Sequence, residues 1–196
     1  MKTLYTLLIV TVMLTPSHAN AWSLSQIGDK TGAYLLGFFS GYLAHEAGHV
    51  IVATSKGYDV DLDGVSIIYP DAQMSDADRL QVSSAGFQAQ WLTTEASFLY
   101  RNKKELSPTS DNFTAGLISS HLVITAAYLT VLRDHPQGDT YAMSEATDLS
   151  TGQIAALLAV PAVLDTWRLF GEDVPEWVPA LSVGFKGAGF IAIWTY

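Results

Sequence analysis

The chain has 196 residues, 49% of them apolar and only 15% charged, against roughly 25% charged in a typical soluble domain. With a mean hydropathy of +0.23, this describes one compact domain or a small helical membrane protein. A net charge of −9 without any long basic run argues against nucleic acid as a partner, and the absence of cysteine excludes disulfides, thiol catalysis and thiolate metal sites.

The N-terminus has the pattern of a secretory signal. Lys2 supplies the charge, TLYTLLIVTVMLT the apolar core, and PSHANA a small-residue exit with Ala19 and Ala21 at the cleavage positions. A signal peptide is expected over 1–21, followed by a single membrane-embedded domain over 22–196. The mature N-terminus then lies outside the cytoplasm.

Four later segments, 32–54, 114–132, 152–170 and 178–195, are apolar and long enough to cross a bilayer core, for which about 20 residues suffice. Residues 84–100 are mixed in polarity. The positive-inside tendency places the basic cluster at 101–104 on the cytoplasmic side, so 84–100 is expected to be re-entrant or peripheral. Between the first segment and this one, alternation at Val60, Leu62, Val65 and Ile67 around an Asp-Gly turn predicts a small β-hairpin over 58–69. The polar stretch 133–151 is expected to be a surface loop, and Ser110 or Asp111 to cap the following apolar helix. The fold expected is mainly α: a polytopic membrane helical bundle with one small hairpin.

The first segment carries the chemistry. His45, Glu46 and His49 form H-E-x-x-H, and on a helix residues four apart share a face, so both imidazoles can grip one ion. Zn2+ suits two imidazoles and a carboxylate, with a fourth position left for a water made acidic enough to lose its proton near neutral pH. Glu46 sits one step round, placed to take that proton. The same helix carries Gly37, Gly41, Ala44 and Gly48, a stripe of small residues that lets a second helix approach closely.

Two histidines need a third ligand from elsewhere in the chain. Asp165, in LAVPAVLDTWRLF, is the leading candidate, because an unpaired carboxylate deep in an apolar helix is strongly disfavoured. Pro161 can bend that helix toward the site. An i,i+3 ion pair with Arg168 is the alternative use of the same carboxylate. His121 competes as ligand, whereas His135, beside Pro136, looks solvated.

In order and content these features resemble the site-2 protease family of intramembrane zinc metalloproteases. His-Glu-Ala-Gly-His closes the first mature apolar helix, a strand hairpin follows, then Ala85-Gly86, then Leu164-Asp165. Phe87 and Gln90 stand where the family usually has proline and asparagine, and Thr166 where it has glycine. The resemblance implies a zinc endopeptidase of the bacterial inner membrane that cuts a membrane-protein or peptide substrate in or near a membrane segment. His45, His49 and Asp165 would hold the ion and Glu46 would be the general base. The alternatives are a soluble or peripheral peptidase of the periplasm, and a non-catalytic membrane assembly factor with a structural metal site.

Overall fold

The computed structural model describes residues 22–63, 66–70, 72–103 and 105–196. The expected signal peptide, and Gly64 and Val65 of the expected hairpin, lie outside the described residues. Among the described residues the chain is mainly α: six α-helices and a two-stranded antiparallel sheet, preceded by two short 3-10 turns. The helices are α1 (Thr31–Ser55), α2 (Asp76–Lys103), α3 (Pro108–Leu129), α4 (Asp139–Glu145), α5 (Thr151–Phe170) and α6 (Trp177–Thr195). The hairpin is where it was expected, β1 (Asp61–Asp63) pairing with β2 (Ser66–Ile68) in the register Leu62 opposite Ile67.

Helix α1 has no interior proline and stops at Gly57, whose φ of +86° is a backbone state favoured by glycine. The Tyr58 N–H donates to the Ala53 carbonyl (3.1 Å) and the Gly57 N–H to the Thr54 carbonyl (3.0 Å), the paired bonds of a Schellman stop. The small-residue stripe of α1 is divided between two neighbours. A Cβ at Gly37 would strike the Phe113 carbonyl and one at Gly41 would come within 2.7 Å of the Ser120 Cβ, both on α3. A Cβ at Gly48 would run into the Ala85 carbonyl on α2.

Helix α2 departs from expectation. Residues 84–100 are neither re-entrant nor peripheral, but part of an unbroken 28-residue helix, roughly 42 Å long at 1.5 Å per residue. It is the innermost element, packed against α1, α3, α4 and α6. Some of its polar side chains are bonded along the helix: the Ser84 hydroxyl donates to the Leu80 carbonyl at 2.6 Å, and Gln88 donates to Ser84 at 2.7 Å. Trp194 of α6 then donates its indole N–H to Gln88 at 2.7 Å. Exposed apolar side chains include Leu36, Phe39 and Leu43 of α1, Val163 of α5 and Ile191 of α6. By length and composition α5 and α6 can each cross a membrane.

Two further differences are local. Helix α3 is capped by Ser107, whose hydroxyl accepts from the Ser110 N–H at 3.2 Å. Pro108 follows at the first helical position, where a fixed φ is pre-organised, so neither Ser110 nor Asp111 is the cap. Asp111 instead pairs with Arg101 at 2.5 Å. The stretch 133–151 is not all surface loop: it contains α4, which buries Thr140 and Met143.

Candidate metal centre

Helix α1 turns His45 and His49 inward, at 2% and 4% exposure, toward α2 and α4. Their Nε2 atoms lie 3.2 Å apart. The Asp139 carboxylate, at the first turn of α4, reaches both, with Oδ2 3.0 Å from the His45 Nε2 and Oδ1 3.4 Å from the His49 Nε2. Tetrahedral zinc with bonds of about 2.0–2.1 Å separates its donor atoms by roughly 3.3–3.4 Å, so this triangle has the dimensions of a metal site. Among the described residues, His45, His49 and Asp139 form a group able to hold a metal ion.

The far sides of the two rings fix which nitrogen faces the triangle. His49 Nδ1 lies 2.8 Å from the Val82 carbonyl, and His45 Nδ1 lies 3.1 Å from the Gln90 side-chain oxygen. Both partners accept, so each Nδ1 carries the proton and each Nε2 presents its lone pair inward. Two lone pairs and a carboxylate facing one point repel each other unless a proton or a metal ion lies between them. With protons on the facing nitrogens, burial still opposes the charge on Asp139, but His49 and His45 outweigh it and hold the carboxyl well below the usual range.

Gly86 of α2 provides the room. A Cβ there would collide with the His49 Nε2 and lie 2.6 Å from the His45 Nε2 and Cε1. Gly86→Ala is therefore expected to displace both imidazoles and lower zinc affinity by about 10²-fold or more, judged against the 10–100-fold effect of losing a metal's outer-shell support. Zinc titration of the purified, monodisperse variant measures it.

The triangle opens into a cavity of about 400 Å³. Glu46 and Tyr42 line it from α1, Ile67 and Tyr69 from the hairpin strand and the residue after it, and Tyr128 from α3. Tyr42 lies one helical turn before Glu46 on the same cavity wall. His135 is exposed on the outer wall, with its Nδ1 accepting from the Gln137 N–H at 3.3 Å.

Asp165 is placed elsewhere. Its carboxylate is fully buried and accepts from Arg168 at 2.8 Å, Ser182 at 2.7 Å and Lys186 at 2.5 Å. Glu95 joins from α2, bonded to Arg168 at 2.6 and 2.9 Å and to Lys186 at 2.5 Å. The ion pair weighed against metal binding is thus present and is part of a four-charge cluster. His121 belongs to this neighbourhood too, with Nε2 3.7 Å from Asp165 and Nδ1 3.4 Å from the Thr125 hydroxyl.

Of the residues singled out in the sequence, His45, Glu46 and His49 come together on one cavity, with Gly86 against the histidine Nε2 atoms and Gln90 behind the His45 ring. Asp165 and His121 do not join them. Asp139 was missed; its one signal is Gly138-Asp139, a turn-and-acid helix start inside the turn-rich stretch. Comparison with protein families, curated proteins and solved structures finds no match to this chain.

Proposed function

We propose that this protein is a membrane-embedded zinc endopeptidase that hydrolyses a peptide bond in or near a membrane segment of a protein substrate. The observation that carries this reading is the convergence of His45, His49 and Asp139 over Gly86, with Glu46 on the same cavity wall. Two imidazoles and one carboxylate are a donor set suited to zinc, and they leave a coordination position for chemistry. The bilayer setting is supported by outward apolar side chains on α1, α5 and α6 around an interior that holds the charged groups.

A zinc ion in this triangle supplies Lewis-acid polarisation of a water and of the scissile carbonyl. The rest falls to the chain. Gln90 and Val82 hold the imidazoles in one tautomer. Glu46 takes the proton of the attacking water as its oxygen bonds to the carbonyl carbon. It returns that proton to the leaving nitrogen as the C–N bond breaks. The hairpin brings β2 to the cavity mouth through Ile67, where a strand edge can pair with an extended substrate backbone.

Glu46→Gln keeps the shape of the side chain and removes the base. The variant is expected to retain its zinc and to cleave a quenched-fluorescence peptide library about 10²–10⁴-fold more slowly than wild type. Wild-type rates in a zinc-replete variant would remove this mechanism.

A further inference from the structure

Hydrolysis of an amide places negative charge on the carbonyl oxygen, and a donor fixed beforehand at that position is one of the strongest aids to such a reaction. Three phenols face the cavity: Tyr42, Tyr69 and Tyr128. Tyr42 stands one helical turn from Glu46, and the Tyr128 oxygen accepts from the Asp139 backbone N–H at 3.5 Å. The Tyr69 phenol has no hydrogen bond to a described residue, and it lines the same cavity as Asp139 and Glu46.

We infer that Tyr69 is a catalytic residue of the proposed peptidase, donating its O–H to the substrate carbonyl oxygen as that oxygen becomes negative. The inference rests on the metallopeptidase reading and extends it by one residue. Tyr69 directly follows β2, the strand with Ile67 at the cavity. A substrate backbone paired along β2 would bring its next carbonyl toward Tyr69, so one element both aligns the chain and supplies the donor. When the water oxygen bonds to the carbonyl carbon, the π pair moves onto the carbonyl oxygen and the phenol hydrogen-bonds it. The phenol keeps its proton throughout, and the transferred proton is the one carried by Glu46.

The test compares wild type with Tyr69→Phe, as full-length zinc-loaded protein in detergent, using two probes. A peptide phosphinate mimics the tetrahedral, negatively charged oxygen; a simple hydroxamate reports the metal alone. Tyr69→Phe is expected to keep zinc content and hydroxamate affinity, to bind the phosphinate about 10²-fold more weakly and to lose a similar factor in kcat with KM little changed, the scale seen when one such donor is removed. Unchanged phosphinate affinity and kcat in a zinc-replete variant would overturn the role of Tyr69 alone. A wild-type protein that binds neither zinc nor hydroxamate would overturn the metallopeptidase reading, and the role of Tyr69 with it.

Discussion

Asp139→Asn is expected to release the metal, and Asp165→Asn to keep it. Asparagine preserves the size of the side chain but lacks the anionic oxygens that stand 3.0 and 3.4 Å from the two histidine nitrogens. Without that charge the pair of Nε2 lone pairs makes half a site. Losing an outer-shell partner of a metal already costs about 10–100-fold in affinity, so loss of a ligand should exceed this and leave the protein essentially zinc-free after dialysis. Asp165 has its oxygens occupied by Arg168, Ser182 and Lys186, and its replacement should lower stability without emptying the site. Metal analysis of the monodisperse fraction of each variant decides between them. A zinc-free Asp165→Asn beside a zinc-replete Asp139→Asn would return Asp165 to the site and remove Asp139.

The contrast between these aspartates shows how far the sequence reaches. The premise that a carboxylate in an apolar helix needs a strong partner led to Asp165, and the structure does bury it completely. The same premise cannot distinguish a metal from a cation as that partner. Arg168 was visible as a neighbour in sequence, but Lys186 and Glu95 reach it only through the packing of α6 and α2. Asp139 escaped for the opposite reason. It lies in a polar, turn-rich stretch where acids are ordinarily solvated, and α4 is only seven residues long, too short to show a helical period. Helix α2 is hard to place from sequence because hydropathy averages around a helix, whereas Glu95 and Gln88 are bonded to residues of α5 and α6 that only the packing brings near. What is legible has local causes: the hairpin alternation, the glycine contacts of α1, and the H-E-x-x-H spacing that puts both imidazoles on one face.

Lys186→Met is expected to destabilise the protein by about 3–5 kcal/mol, the usual consequence of breaking a buried charge pair by removing one partner. Glu95, Asp165, Arg168 and Lys186 are each at most 2% exposed, and their charges balance as two acids against two bases. Arg168 also lies over the Phe98 ring at 3.8 Å, so one cation is fixed by stacking and the other by its two carboxylates. Removing Lys186 leaves a carboxylate without compensation in surroundings that solvate it poorly. Adding Asp165→Asn restores neutrality, and the double variant should recover a large part of the loss, with a coupling of about 0.5–3 kcal/mol as found for residues in one network. Denaturant unfolding in a fixed detergent, with zinc content followed in parallel, measures both quantities. Strictly additive effects would mean that the four charges do not act as a unit. Zinc lost from Lys186→Met while the fold persists would mean instead that the cluster supports the metal centre directly. The arrangement of the two groups argues against that outcome. The cluster ties α2, α5 and α6, while the ligands come from α1 and α4, so the charges should govern how the bundle is assembled and leave the affinity of the assembled site unchanged.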